Sequence, residues 1–391
     1  MDFEIPEELN MIQSMVRDFV NDQLKPLERT ILGRASDLSD ARVSLPSDTE
    51  EQLIKMVKDM GLWGIGVPEE FSGVGLSTLG NCLVEEELAQ TILPFNFGDV
   101  TPILFDCNEK QKQDYFLPLF HRQKSAYLAL MEPGKEADVA TIEMTAEKAN
   151  GHYILNGRKV SLSKTGKDYF AIVFAATNPK KGLREGVTCF LVDKDTPGFT
   201  IVGNEEKGGW RAQVRQPIFL AFDRCQVSAD NILGEEGKAF LLGRRWLPSR
   251  RIIRAARCIG VAQRLLEEST LQAQSWTSFG QPISGRPSVQ AALADIATGI
   301  HATRLMVHEA AWKADKGEPI QREAAMVKLF ATQMIHSVAD RAAHIWNGPP
   351  YIAGLPMERL CRHATAASAT EYDLELQKNL IATDILKGLR F

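Results

Sequence analysis

The sequence predicts an α+β protein with three consecutive parts. These are a helical N-terminal domain at residues 1–126, a central β-domain at 127–237 and a helical C-terminal bundle at 238–391. Three observations predict this order. Apolar residues recur at helical spacing in the first third, the period changes to short β-prone runs near residue 127, and helical stripes return after Gly237.

The N-terminal part has the periodicity of packed helices. Leu9, Ile12 and Val16 recur at helical spacing, and we expect Pro26 to end that helix because proline removes a backbone donor. A second apolar stripe ends before Gly61, a residue typical of the position just after a helix.

The central part has the pattern of a β-domain. Asn150-Gly151 stands between two β-prone runs, which is the strongest short signal for a hairpin. Turn residues then separate further predicted strands at Tyr169–Thr177, Val187–Val192 and Ile218–Phe222.

The C-terminal part has long amphipathic stripes with short breaks. One stripe runs through Val289–Ile300 and another through Val327–Ile345, with Gly317 and Pro319 between them. A last helix is expected from about Glu371 onward. Short connections between long helices predict antiparallel neighbours in a bundle.

Composition excludes several classes of function. The net charge of -5 argues against a nucleic-acid-binding protein, which usually shows a basic stripe. No apolar run reaches the ~18 residues that a membrane-spanning helix needs. The acidic start suits neither a signal nor a transit peptide, so we expect a cytoplasmic protein. The six cysteines form no C-x-x-C pair and no H-E-x-x-H occurs, so no metal site is expected.

Short segments along the chain form an ordered series. They are Val67–Leu76 (VPEEFSGVGL), Met131–Gly134 (MEPG), Asn156–Lys159 (NGRK), Phe279-Gly280 and Ile381–Gly388 (IATDILKG). In type and order they resemble the signatures of the acyl-CoA dehydrogenase family over nearly the whole chain.

That resemblance implies a fold and an activity. The β-domain would be a barrel or sandwich, the C-terminal part a four-helix bundle, and FAD would bind between them. Members of the family oxidise an acyl-CoA thioester to the trans-2-enoyl-CoA. Such an oxidoreductase would pass its electrons to electron-transfer flavoprotein, and it would form a tetramer that is a homo- or hetero-oligomer.

The resemblance places the catalytic base at Glu371. An α C–H is a very weak acid, so the reaction needs a carboxylate in a desolvated pocket and donors that polarise the thioester carbonyl. By pattern alone, a glutamate that opens a helix is usually a solvated residue favourable to the helix dipole. Some family members carry the base on the helix after the β-domain instead, but the matching residue here is Arg250, which cannot accept a proton.

The resemblance also implies ligand contacts. The backbone of Leu128 and Leu130 would face the isoalloxazine ring, and Ser163 keeps a hydroxyl that bonds the flavin. Arg251, with Arg250 beside it, would suit the phosphates of a CoA tail, although a surface cation fits the same pattern. The other positions implied for the cofactor are Met131, Phe279, Gly348 and Asp373.

Several cofactor positions depart from the family pattern. Met131 stands for a threonine, Ser161 for an aromatic residue, Trp276 for an arginine and Pro287 for a glutamine, and Tyr372 follows Glu371 where glycine is usual. Either a partner subunit supplies the missing groups, or the chain is a non-catalytic or FAD-poor subunit of a hetero-oligomer. A different flavin reaction on the same fold is a third interpretation. The lost contacts predict that the chain alone holds well below one FAD per subunit.

Overall fold

The computed structural model describes residues 4–34, 45–134, 142–161, 168–202, 218–348, 355–366 and 374–388. The chain divides into two compact units. Gly98–Leu247 form one, which we call the inserted unit, and Met1–Phe97 with Pro248–Phe391 form the other, the discontinuous unit. The domain boundaries expected at residues 126 and 237 stay predictions.

The discontinuous unit is helical in its described residues apart from one small hairpin. Its N-terminal helices are α1 (Glu7–Phe19), α2 (Lys25–Arg34), α3 (Ser47–Asp59) and α4 (Thr78–Leu88). The predicted end of a helix at Gly61 is confirmed. α3 stops at Asp59, and Gly61 has a φ of 73°, a conformation that glycine adopts without a steric penalty.

Pro26 does not end the first helix, so that expectation was wrong. α1 passes into a π-helical turn at Val20–Leu24, and α2 continues from Lys25 to Arg34. In this turn the Lys25 N–H donates to the Val20 carbonyl, five residues back. Proline lacks an N–H, and in a regular α-helix its ring meets the carbonyl four residues earlier, so the wider π-turn accommodates Pro26.

In its described residues, the inserted unit contains three short α-helices, α5 (Glu109–Gln111), α6 (Leu117–Phe120) and α7 (Gly182–Gly186).

Five described helices form the C-terminal part of the discontinuous unit. They are α8 (Leu247–Ser275), α9 (Pro287–Asp315), α10 (Gln321–Trp346), α11 (Pro356–Ala366) and α12 (Leu374–Leu386). α10 packs against α9, α11 and α12. The predicted break between the two long stripes is confirmed at Gly317, where φ is 73°. The short helix α11 was not predicted. No helix among the described residues is long and apolar enough to cross a membrane.

α4 is held at its N-terminus by side chains. The Ser77 Oγ accepts a hydrogen bond from the Gly80 N–H at 3.1 Å. Asp315, the last residue of α9, accepts from the N–H groups of Thr78 at 2.6 Å and Leu79 at 3.0 Å. A helix N-terminus leaves its first N–H groups without intrahelical partners, so this carboxylate joins α9 to the start of α4.

α4 also carries buried carboxylates. The Glu86 Oε1 lies 2.7 Å from the Arg304 Nη2 and 3.0 Å from its Nε, on α9. Burial raises the pKa of the Glu86 carboxyl, and Arg304 offsets only part of that rise. Beside it, α8 approaches so closely that a Cβ added to Gly260 would lie 2.0 Å from the Glu86 carbonyl oxygen. Packing and charge pairing therefore fix α4 against α8 and α9 together.

The inserted unit is built on a sheet. Its strands are β1 (Ser125–Ala129), β2 (Thr145–Ala149), β3 (His152–Ser161), β4 (Tyr169–Ala176), β5 (Val187–Asp193), β6 (Phe199–Ile201), β7 (Ile218–Ser228) and β8 (Ile232–Leu233). Among the described residues the strand order is β6-β7-β3-β2-β4-β5-β8, and β1 pairs with β4 in parallel.

The hairpin predicted at Asn150-Gly151 is confirmed. These two residues join β2 to β3 with φ values of 38° and 81°, and the strands pair antiparallel with Lys148 opposite Tyr153. One face of the sheet buries aromatic residues, and Phe199 stacks on Phe222 with ring centroids 4.8 Å apart. This buried face fixes the register of the strands.

Candidate active site

The end of β1 brings three predicted cofactor residues together. Leu128 lies in β1 opposite Ile172 of β4, and Leu130 and Met131 follow the strand. Met131 forms a bridge with Val160 of β3, whose N–H donates to the Met131 carbonyl at 2.8 Å. The backbone of this segment is therefore held from β4 on one side and from β3 on the other.

A buried ion pair lies beside the same segment. The Lys159 side chain is fully buried, and its Nζ lies 2.8 Å from the Glu132 Oε1 and 3.1 Å from the Leu130 carbonyl oxygen. The Glu132 carboxylate also accepts from the N–H groups of Glu143 and Met144, each at 2.9 Å. Sequence reasoning quoted both residues within motifs and gave them no role. The sequence signal was weak, because Lys159 follows the turn-prone pair Asn156-Gly157 and stands next to another basic residue, Arg158.

The electrostatics of this pair oppose burial. Burial lowers the pKa of the Lys159 ammonium, and the hydrogen bond that Lys159 donates to Glu132 opposes that shift. Burial also disfavours the charged carboxylate of Glu132, but the Lys159 hydrogen bond and two backbone N–H donors hold the pKa of that carboxyl below its usual value. Glu132 is thus an anion at neutral pH with its hydrogen-bonding capacity met by protein groups.

Two residues that depart from the family pattern, Met131 and Ser161, lie just after β1 and at the end of β3. Met131 is half-buried and offers a thioether, which has no hydroxyl to donate. Ser161, at the end of β3, is buried. Ser163 lies outside the described residues.

Phe279 stands at the tip of a hairpin in the discontinuous unit. Strand β9 (Thr277–Ser278) pairs with β10 (Gln281–Pro282), and Phe279 and Gly280 form the turn with φ values of 53° and 77°. The Phe279 side chain is 100% exposed and Trp276 is 50% exposed. An aromatic residue with a positive φ and no cover is unusual, so this tip presents apolar surface that its own unit does not bury.

The remaining predicted residues of the discontinuous unit lie at separate points of it. Arg250 and Arg251 are half-buried in the first turns of α8. Gly348 follows Asn347, which ends α10 in a left-handed conformation with a φ of 53°. Pro287 is the first residue of α9, a position that proline suits.

Buried polar atoms of α10 and α12 lack partners among the described residues. Within the described ranges, neither the Trp346 indole N–H nor the two amide atoms of Gln377 make a hydrogen bond. Trp346 is the last residue of α10, and Gln377 is the fourth residue of α12. Leaving such a group unpaired costs about 1–3 kcal/mol, so each is a position at which a bound polar group would be favourable.

The predicted base and its neighbour fall outside the described residues. Glu371 and Asp373, with Tyr372 between them, lie after the end of α11 at Ala366 and before the start of α12 at Leu374. On α11 itself, burial and the charges of nearby arginines lower the pKa of His363 to about 4. Among the described residues, no group of three or more His, Cys, Asp or Glu side chains could hold a metal ion.

Comparison with known proteins matches most of the chain to one family. The Acyl-CoA dehydrogenase N-terminal domain matches residues 6–123, the middle domain 128–220 and the C-terminal domain 241–386. The protein of Bacillus subtilis (strain 168) named "Acyl-CoA dehydrogenase" is 33% identical, over 98% of this chain and 99% of its own.

Solved structures agree with this match. The butyryl-CoA dehydrogenase of Megasphaera elsdenii has a TM-score of 0.82 and 28% identity, covering 99% of this chain and 100% of that one. A chain of the structure described as the electron transferring flavoprotein of Acidaminococcus fermentans has a TM-score of 0.81 and 30% identity, with the same coverage. The α+β fold class, with helical, β and helical parts in that order, is confirmed. Motifs, topology and all three matched domains coincide, and the chain belongs to the acyl-CoA dehydrogenase family of flavoprotein oxidoreductases.

Proposed function

We propose that this chain catalyses the FAD-dependent α,β-dehydrogenation of an acyl-CoA thioester with Glu371 as the base. The observation that carries the proposal is the match to all three domains of the family, in order, along one chain. When bound, FAD accepts the β-hydrogen of the substrate as hydride. None of these comparisons favours the alternative of a non-catalytic or FAD-poor partner subunit.

The described residues fit a bound cofactor. At the end of β1 the backbone is held in one orientation, and at Trp346 and Gln377 buried polar atoms lack partners among the described residues. We propose that FAD contacts the backbone of the β1 end and the Ser163 hydroxyl. The residues proposed are Leu128, Leu130, Met131, Ser163, Phe279, Gly348 and Asp373.

The α-proton of the substrate must be removed by a carboxylate of this chain. We propose that Glu371 removes the α-proton while preorganised donors stabilise the charge that develops on the thioester oxygen. Arg250 and Arg251, at the start of α8, are proposed to pair with CoA phosphates, because guanidinium groups bind phosphate through two parallel hydrogen bonds. A carboxylate that must act as a base near neutral pH needs a raised pKa, which a desolvated position supplies.

The electron acceptor is proposed from the reaction class. A reduced flavin must pass its electrons on, and we propose electron-transfer flavoprotein as the acceptor. The similarity to a chain of the structure described as the electron transferring flavoprotein of Acidaminococcus fermentans supports this. A cytoplasmic location and a place in fatty acid metabolism stay predictions from the sequence.

The decisive experiment is the variant Glu371→Gln. Glutamine is nearly isosteric and cannot accept the α-proton, so we expect kcat to fall steeply while acyl-CoA binding changes little. The matched control is Glu375→Gln, because Glu375 lies in the first turn of α12, is exposed and pairs across the surface with Lys378 at 2.7 Å. Turnover that survives in Glu371→Gln would place the base on another residue.

Oligomeric state tests a second part of the proposal. The exposed apolar residues of the C-terminal helices, such as Trp312 at 48% exposed and Leu386 at 86% exposed, support a tetramer assembled through this unit. Light scattering should then give several times the 43.4 kDa of one chain. A monomer at every concentration would contradict this. The FAD content of the chain expressed alone, compared with the chain expressed with a second subunit, separates the homo-oligomer from the hetero-oligomer.

A further inference from the structure

We propose that the Lys159–Glu132 pair is a positioning device for the flavin, which sets the orientation of the peptide groups at the end of β1. The proposal rests on the proposed function, since it requires that FAD lies against this segment. It assigns roles to two residues that no motif or comparison assigns.

The first argument is the set of groups that the pair engages. The Lys159 Nζ holds the Leu130 carbonyl oxygen at 3.1 Å, and the neighbouring Met131 carbonyl is taken by the Val160 N–H at 2.8 Å. Two successive carbonyl groups are thus directed to β3. Neither peptide can rotate without breaking a hydrogen bond, so the direction of both peptide planes is fixed.

The second argument is the anchoring of the carboxylate. Glu132 Oε2 accepts from the Glu143 N–H, and Oε1 accepts both from the Met144 N–H and from Lys159. The carboxylate therefore connects Glu132, three residues after the end of β1, to Glu143 and Met144, which lead into β2. One ion pair joins three segments around the predicted flavin position.

The third argument is energetic. A buried ion pair is often no more stabilising than apolar residues of the same volume, because both charges lose their hydration. Lys159 and Glu132 are both buried, with side chains 0% and 8% exposed. A pair that adds little net stability but fixes a backbone geometry is consistent with a positioning role.

The fourth argument is the nature of Met131. Its side chain is a thioether, which cannot donate a hydrogen bond. The backbone is then the hydrogen-bonding group that this position retains toward a ligand. Its orientation matters more here than it would beside a side-chain hydroxyl, and the pair supplies that orientation.

The test compares FAD binding in three variants of the full chain. Lys159→Met removes the ammonium, Glu132→Leu/Lys159→Met replaces the pair by apolar residues, and Lys148→Met is the control. Lys148 is also a strand lysine paired with a glutamate, Glu236 at 3.0 Å, but both side chains are exposed. Circular dichroism checks folding, and fluorescence quenching on reconstitution with FAD gives Kd.

We expect the double variant to fold and to bind FAD about 10-fold or more weakly than the wild type, which corresponds to about 1.4 kcal/mol. Its bound-flavin absorption and visible circular dichroism should differ from the wild type, whereas Lys148→Met should match it in both. Lys159→Met should show the same loss, or should fail to fold, in which case the double variant decides.

Two results would overturn the proposal, and they are distinguishable. A folded double variant with wild-type Kd and an unchanged flavin spectrum would show that the pair is structural only, and would leave the proposed function intact. A wild-type chain that binds no FAD, alone or with a second subunit, would overturn the proposed function and the positioning role together.

Discussion

Removing Arg304 should destabilise the discontinuous unit in a way that depends on pH. Arg304→Met leaves the Glu86 carboxylate buried without the guanidinium that now contacts it at 2.7 Å and 3.0 Å. Breaking a buried ion pair costs about 3–5 kcal/mol, and because the Arg304 side chain is 30% exposed we expect the lower end, about 3 kcal/mol.

The assay is urea unfolding followed by far-UV circular dichroism. With an m-value of about 3 kcal/mol/M, the midpoint should fall by about 1 M near neutral pH. Burial already raises the pKa of Glu86, and losing Arg304 raises it further. A group whose pKa is higher in the folded state takes up a proton on folding, so its unfavourable effect grows as pH rises above the unfolded pKa. The defect should therefore shrink as pH falls toward 5.

Two controls isolate the charge. Glu86→Gln/Arg304→Met should recover most of the lost stability and should lose the pH dependence. Arg257→Met removes the neighbouring Arg257–Glu85 pair, which is more exposed and has a contact of 3.3 Å, so it should cost less than about 1 kcal/mol. A midpoint that is unchanged near neutral pH, or a loss that is equal at all pH values, would refute the reasoning.

Three further outcomes follow from local geometry. Gly260→Ala should lower the free energy of unfolding by about 1–3 kcal/mol, because the new Cβ would lie 2.0 Å from a backbone oxygen. An unchanged urea midpoint would show that α8 and α4 can move apart at no cost. Asp315→Ala should cost about 1–2 kcal/mol of stability by uncapping α4, with Asp315→Asn losing less. His363 should stay neutral in an NMR titration down to about pH 5, since its pKa is about 4; protonation near pH 6.5 would contradict its burial among arginines.

Local signals predicted the turns well. Asn150-Gly151 and Gly317 were predicted as turn or break positions, and both have positive φ values that fit those residues. Such positions depend on the backbone of two or three residues, so the sequence alone determines them.

Other features were not predicted. Pro26 was expected to end a helix because the rule applies to α-helical hydrogen bonding, and here a π-helical turn precedes the proline. Helix α11 is short and lies between two breaks, so it offers little periodicity. The Lys159–Glu132 contact joins residues far apart in sequence, and no local pattern reports such a pairing. At the candidate site, Leu128, Leu130 and Met131 lie on one segment, but their contact with the cofactor stays a prediction, as does the role of Glu371 as the base.

The division of the chain has a consequence for how it is made on the ribosome. The N-terminal helices include buried carboxylates, among them Glu28 and Glu86, whose partners Arg264 and Arg304 are synthesised only after the whole inserted unit. An emerging N-terminal segment therefore cannot bury these charges, whereas the inserted unit is continuous in sequence and can close as soon as Leu247 emerges. We expect the order of folding during synthesis to be the β-containing unit first and the helical unit last, with the first ninety or so residues held open until α8 and α9 arrive.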